Sequence, residues 1–322
     1  MGVFFYEAFK EEAELIRQYM PDDLHAGFTD KTIQEYDQNL PAPIISIRTQ
    51  SIIPLDWQDK LDAILTRSAG FDHITRYLVQ SSNNISCGYL PQYCVRAVGE
   101  QAMMLWTALL RKLPIQLSNF AQFKRDGLTG RECKDKTLLV VGVGNIGHEI
   151  ASIGKALEMK VLGVDIVEKH EDIKYVRIDE GLLKADVIVC AMNLTQNNHG
   201  YFNYDLLRNA KPDAVFVNIA RGELVPPEDL LRLLNDQLLA GAGLDVYDHE
   251  SELAISLRTA TPSEDSRVKA TLELAKLPQV ILTPHNAFNT SQSVQRKSEQ
   301  SIRQITHFLK DGKFLWPVEA IS

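Results

Sequence analysis

Thr137-Leu-Leu-Val-Val-Gly-Val-Gly-Asn-Ile-Gly147 decides the fold of this chain. Its first five residues form a continuous apolar run, the pattern of a strand buried on both faces. Gly142, Gly144 and Gly147 follow in a G-x-G-x-x-G spacing that opens a helix from Ile146 to Leu157. The first glycine permits a tight turn, the second lets backbone approach a pyrophosphate, and the third lets helix and strand pack closely. The helix N-terminus presents free N–H groups and a positive dipole end to the phosphates. Asp165 closes the next apolar run, Val161-Leu-Gly-Val164, at about the twenty-residue distance of a dinucleotide site. A carboxylate there accepts from both ribose hydroxyls and repels a 2′-phosphate. The expected cofactor is therefore NAD, with Lys169 nearby as a softening influence on that preference.

Four further apolar runs continue the pattern: Val187–Cys190, Ala214–Val217, Ala242–Asp245 and Val280–Thr283. Helical segments intervene between most of them, so the expectation is a doubly wound parallel sheet. Upstream, Val98, Ala102, Leu105, Trp106 and Leu109 recur at helical spacing, and Pro114 is expected to stop that helix. Ile44–Ile47 and Ala63–Thr66 read as strands of a first α/β domain, with Glu11–Met20 as a helix. Ser251–Lys276 reads as an insertion on the sheet rim, polar first and then helical. A last amphipathic helix runs from Asn289 to about Asp311-Gly312, and the chain end is expected to return to the first domain. The expected division is 1–96 plus 289–322 for a discontinuous substrate domain, and 97–288 for the cofactor domain.

Three polar residues sit just past apolar strands, where an open α/β sheet builds its site. They are Arg221 in Asn218-Ile-Ala-Arg-Gly222, Glu250 in Asp245-Val-Tyr-Asp-His-Glu250, and His285 in Thr283-Pro-His-Asn-Ala287. Reduction of a keto acid needs a fixed cation for the carboxylate and C2 carbonyl. Arginine's planar fork supplies it. Histidine suits protonation of the forming alkoxide near neutral pH, and a neighbouring carboxylate favours its charged form. Singly, each has a plainer reading: a helix cap, a solvated loop charge, a core histidine. Three at successive strand ends after a dinucleotide motif outweigh it. His73, His148 and His199 read as structural or solvated, and His249 competes only through its position beside Glu250.

The net charge of -8 gives no basic footprint for nucleic acid or an anionic membrane. No apolar run reaches the roughly 18 residues of a membrane span, and the N-terminus does not read as a signal peptide. Cys87, Cys94, Cys133 and Cys190 are scattered, which fits free thiols in a cytoplasmic protein. No His or Cys pair shows metal-ligand spacing, so no metal is expected.

The ordered set Arg67-Ser-Ala-Gly-Phe-Asp72, Ala97-Val-Gly-Glu100, Gly142–Gly147, Asn218–Gly222, Gly243–Val246 with Glu250, and Thr283-Pro-His285 resembles the D-isomer-specific 2-hydroxy-acid dehydrogenases. In the length of Ser251–Lys276 and in His285-Asn-Ala-Phe-Asn-Thr290 it is similar to their D-lactate dehydrogenase branch. The resemblance implies an α/β protein of two Rossmann-like doubly wound parallel-sheet domains flanking a cleft, a homodimer through the cofactor domain. It implies Arg221 as substrate anchor, His285 as acid/base and Glu250 as its partner. Asn145 and Ile146 would meet the pyrophosphate, Met192, Asn193 and Ala220 would line the nucleotide cleft, and Asp245 would lie near the nicotinamide carboxamide. Backbone N–H groups of Ala69 and Gly70 would take the substrate carboxylate. Tyr89, with Phe71, Phe288 and the loop Arg48–Ser51, would shape the substrate pocket. Asn193 stands where many members have proline, and Gly99 where many have alanine.

The expected activity is NAD-dependent interconversion of a small 2-keto acid and its D-2-hydroxy acid. An NAD(H)-sensing scaffold or corepressor-like protein of the same fold is the alternative. Formate oxidation needs no histidine–glutamate pair, and Glu250 counts against it.

Overall fold

The structure, a computed structural model, describes residues 2–37, 39–81 and 85–318. It divides into two compact units, Met1–Cys94 with Asn289–Ser322, and Val95–Phe288. The first unit opens with β1 (Gly2–Phe5), α1 (Lys10–Tyr19), β2 (His25–Phe28), α2 (Ile33–Tyr36), β3 (Ile44–Ile47), β4 (Ala63–Thr66), α3 (Asp72–Gln80) and β5 (Ser86–Gly88). Its five strands are parallel in the order β2-β1-β3-β4-β5. Every residue of β3 and β4 is buried, as a sheet covered on both faces requires. β2 and β5 carry too few apolar residues to stand out by periodicity.

The second unit begins with α4 (Val95–Leu110) and α5 (Leu113–Asn119). Pro114 does not stop α4, as the sequence led us to expect. Lys112 ends it in a left-handed conformation, φ 52°, and Pro114 lies in the first turn of α5. Proline is tolerated there because the first helical N–H groups have no intrahelical acceptor. Then follow β6 (Thr137–Val141), α6 (Asn145–Ala156), β7 (Lys160–Val164), β8 (Lys174–Tyr175), α7 (Ile178–Lys184), β9 (Val187–Cys190), α8 (Tyr204–Leu207), β10 (Val215–Asn218), α9 (Pro227–Asn235), β11 (Gly241–Leu244), α10 (Glu250–Thr259), α11 (Ser266–Leu274) and β12 (Val280–Leu282).

The second sheet has seven parallel strands, β12-β11-β10-β9-β6-β7-β8, one more than the apolar runs indicate. β8 has two residues, too short for a periodic signal. The order reverses at β6, with β7 on one side and β9 on the other, and this is where such sheets bind ligands. The rim-insertion expectation needs correction. α10 starts at Glu250 and exposes Ile255 and Leu257, but α11 packs on α9 and buries Val268, Ala270, Thr271 and Leu274. Asp265 caps α11 by accepting from the amides of Arg267 and Val268.

The chain then returns to the first unit as α12 (Ser291–Asp311), capped by Thr290 and ended by Gly312 at φ 68°. Val318 donates to the Cys87 carbonyl at 2.8 Å, which ties the following segment to β5. α12 packs on α1, and this contact holds a wholly buried charge cluster. Glu12 Oε1 accepts from Arg67 Nε at 2.8 Å and pairs with Lys297 Nζ at 2.9 Å. The Lys297 ammonium also lies 4.9 Å from the Phe9 ring centroid. Arg67 extends the cluster to the Ser46 hydroxyl and the Tyr6 carbonyl, joining β4 to β3 and β1.

Burial drives the Lys297 ammonium down to about 7, although Glu12 supports its charge. Burial pushes Glu12 up, but Arg67 and Lys297 outweigh it and hold the carboxyl at about 2. Breaking such a cluster costs more than replacing it. Glu12→Gln, which leaves two buried cations without their carboxylate, is expected to lower unfolding free energy by roughly 3–5 kcal/mol in urea titrations, whereas Lys297→Met leaves Glu12 paired with Arg67 and is expected to cost less. Between about pH 7 and about pH 10 the unfolded chain keeps the Lys297 proton and the folded chain does not. Lys297 therefore makes stability rise with pH across that window. The urea midpoint of wild type should rise relative to that of Lys297→Met as pH is raised through it, and a constant difference would contradict this.

Candidate active site

The glycine-rich loop lies between β6 and α6 at the reversal of the second sheet. Gly142 has φ 91°, and a side chain on it would meet the Met192 backbone at 2.5 Å. The loops after β6 and β9 thus touch through backbone. A Cβ on Gly147 would lie 1.9 Å from the Gly142 carbonyl, so this glycine is required for α6 to close on the turn. Gly144 has nothing within 4 Å of that position; it and Asn145 are exposed, with Ile146 half-buried. Asp165, just past β7, accepts from the Val143 amide at 2.5 Å and from the Val167 amide at 3.2 Å. Its carboxylate is thereby fixed against the glycine-rich loop. Exposed Ile166 and Val167 follow it, an apolar pair the sequence reading passed over. An open backbone cradle, a helix N-terminus and a held carboxylate fit a dinucleotide.

Met192 is half-buried, and exposed Asn193 accepts from Asn198 Nδ2 at 2.8 Å through its carbonyl. That bond braces the loop.

Arg221, Glu250 and His285 follow β10, β11 and β12, at the same C-terminal edge of the sheet as the glycine-rich loop. Asn218 shapes the first loop, its amide donating to the Arg221 carbonyl at 2.9 Å and its carbonyl accepting from Ala220 N at 3.0 Å. Arg221 Nη1 donates to the Ala220 carbonyl at 2.8 Å. Gly222 lets this loop lie on the next one, since its Cβ would fall 1.8 Å from the Tyr247 carbonyl carbon. His285 Nδ1 bonds both oxygens of Glu250, at 2.9 and 2.8 Å. Both side chains of this pair are about one-quarter exposed, 25% and 22%.

Asp245 is fully buried and holds the His285 loop from beneath. One oxygen accepts from Thr283 Oγ1 at 2.5 Å and from Asn286 N at 2.9 Å; the other accepts from Ala287 N at 2.8 Å. Burial pushes its carboxyl up, opposed by these donors and by His285. The Tyr247 hydroxyl adds a bond to the Thr283 carbonyl at 2.7 Å. These contacts support His285 at φ 50°, a left-handed conformation that costs a non-glycine residue about 1–2 kcal/mol. Thr283, Tyr247, Asn218 and Gly222 stand inside the motifs quoted from the sequence, but nothing there assigned them a role of their own. Only their place directly around strand ends could have flagged them.

In the first unit, Ala69 and Gly70 lie on the half-buried turn between β4 and α3. Tyr89 is half-buried and meets Phe71 edge-on at 4.7 Å. His249 is engaged elsewhere, by Asp265 and Arg267, each at 2.8 Å. His148 and His170 stack at 3.9 Å, and their donor atoms lie within 4.8 Å of an Asp172 oxygen. Chain spacing hid that group, and Lys155 Nζ already occupies Asp172 at 2.7 Å. The cysteines described are free, and no helix among the described residues is long and apolar enough to cross a membrane.

The family described as D-isomer specific 2-hydroxyacid dehydrogenase, NAD binding domain, matches residues 103–287. A D-lactate dehydrogenase of Streptococcus pyogenes is 28% identical, covering 97% of this chain and 98% of that protein. An aromatic 2-oxoacid reductase of Clostridium sporogenes is 31% identical over 77% of this chain and 76% of its own length. The D-lactate dehydrogenase of Aquifex aeolicus, solved with NAD and lactic acid, aligns with TM-score 0.86 and 27% identity, covering 98% of this chain and 99% of that one. The chain belongs to the D-isomer-specific 2-hydroxyacid dehydrogenase family, on the side of its D-lactate dehydrogenases, and is an NAD-dependent oxidoreductase.

Proposed function

We propose that this enzyme reduces a small 2-keto acid to the D-2-hydroxy acid, with His285 as proton donor and Arg221 as substrate anchor. The carrying observation is the two-oxygen contact between Glu250 and His285 Nδ1 at the C-terminal edge of the cofactor sheet. NADH, when bound, supplies the hydride for C2. Glu250 accepts at Nδ1, which leaves His285 Nε2 to give a proton to the forming alkoxide and to take it back in reverse. The Arg221 guanidinium holds the carboxylate and polarises the C2 carbonyl. Ala69 and Gly70 offer amide N–H groups to the same carboxylate, and Tyr89 contributes to the substrate pocket. Gly142, Gly144, Asn145, Ile146 and Gly147 cradle the pyrophosphate, Asp165 accepts the adenosine ribose hydroxyls, and Met192, Asn193 and Ala220 line the nucleotide site. Asp245 is assigned to the nicotinamide side, where its clamp on the His285 loop fixes the acid/base group. The relatives' activities on lactate and aromatic 2-oxoacids support a 2-keto acid as substrate.

Met104, Leu117, Phe120 and Phe123 are exposed apolar residues between α4 and the segment after α5. Their exposure supports a homodimer through the cofactor unit. Free thiols, three of them buried, fit a reducing cytoplasm.

His285→Gln is expected to lower kcat by roughly 10²–10⁴-fold while NADH affinity, read by fluorescence titration, stays near wild type. Arg221→Ala should raise KM for the keto acid and lower kcat, with Arg221→Lys restoring only part. Full turnover by His285→Gln would remove the assigned proton donor. For the dimer, Leu117→Glu with Phe120→Glu should shift the mass in light scattering from twice the chain mass to one. A wild-type monomer would refute the dimer.

A further inference from the structure

The turn that carries Ala69 and Gly70 contains a chain of short side-chain contacts outside the catalytic groups. Ser68 Oγ lies 2.7 Å from the Gly70 carbonyl, Thr66 Oγ1 lies 2.6 Å from Ser68 Oγ, and His73 Nε2 lies 2.9 Å from Thr66 Oγ1. Each hydroxyl has one proton to donate, and a carbonyl can only accept. The Ser68 proton is therefore committed to Gly70. At the next contact Thr66 must be the donor, which commits its proton to Ser68. Thr66 then has only lone pairs left for the imidazole, so His73 must donate from Nε2. Every direction follows from the carbonyl at the end: His73 to Thr66 to Ser68 to Gly70.

We propose that this one-way chain sets the Ala69–Gly70 turn in its substrate-binding conformation, which makes His73, Thr66 and Ser68 positioning residues. The proposal rests on the reading that the Ala69 and Gly70 amides receive the substrate carboxylate. Glycine has the freest backbone, and the bond from the Ser68 hydroxyl to the Gly70 carbonyl closes a ring that contains the Ala69 and Gly70 amides. The anchors of the chain are rigid. Thr66 is the fully buried last residue of β4, and His73 lies in the first turn of α3. Between them Arg67 is clamped by Glu12, Ser46 and Tyr6, and the Ser68 carbonyl accepts from Leu90 N at 3.1 Å. A turn ordered before substrate arrives adds no ordering cost on binding. The neutral Nε2–H tautomer and the imidazolium both donate from Nε2, so the chain needs no particular charge on His73.

Two measurements test it. Long-range proton–nitrogen NMR of the imidazole in the intact protein should show His73 protonated at Nε2. A neutral ring protonated only at Nδ1 overturns the chain, whatever the turn binds. Kinetics on the fastest keto acid should show Ser68→Ala and Thr66→Val each raising its KM about tenfold. kcat and NADH affinity should change little, and Thr66→Ser should restore KM. Gly70→Pro, which deletes one amide donor, reports on the carboxylate reading itself. A raised KM in Gly70→Pro with no change in Ser68→Ala overturns the positioning role alone. An unchanged KM in a folded Gly70→Pro overturns the carboxylate reading and the proposal with it. Thermal melts of each variant separate loss of fold from loss of binding, and if Gly70→Pro does not fold, Ala69→Pro takes its place.

Discussion

The buried carboxylate of Asp245 is the contact on which the proposed acid/base site depends. It receives the amides of Asn286 and Ala287 and the Thr283 hydroxyl, and so dictates the path of the loop after β12. Without those donors a buried carboxylate would carry a penalty of several kcal/mol. With them it offsets the left-handed strain at His285 and aims the imidazole at Glu250. His249, at φ 54°, makes a second left-handed turn directly before Glu250. His285 therefore stands at a strained point and Glu250 directly after one, both held there by packed strands and hydrogen bonds.

The sheet supplies the rest of the arrangement. Because all seven strands run parallel, every loop that follows a strand emerges at one edge. Gly142 and Gly222 then let neighbouring loops touch through backbone, where any side chain would collide. The glycine-rich loop and the Arg221 loop are thus fixed by absent atoms as much as by present ones. This geometry leaves little room for substitution at either glycine.

Much of this was legible in the residues. Continuous apolar runs such as Thr137–Val141 and Val187–Cys190, too short for helices and spaced by helical segments, read as central strands, so the doubly wound parallel sheet followed from them. The three catalytic candidates were visible because each directly trails such a run. Edge elements such as β8 carry two residues and no periodicity, and they were not legible. Pro114 was misread because proline stops a helix or starts one, and only the left-handed Lys112 tells which. The Glu12–Arg67–Lys297 cluster joins residues far apart in the chain, and charged side chains ordinarily read as solvated. The clamp by Asp245 was hidden for a related reason: a motif gives a residue's place but not its hydrogen-bond partners.

The most direct measurement is NADH oxidation at 340 nm with pyruvate, glyoxylate, hydroxypyruvate, 2-ketoisocaproate and phenylpyruvate, followed by chiral analysis of the products that have a stereocentre. The account predicts turnover on at least one of these keto acids and the D-2-hydroxy acid wherever C2 becomes chiral. Tight NADH binding without turnover on any of them, or an L product, would contradict it.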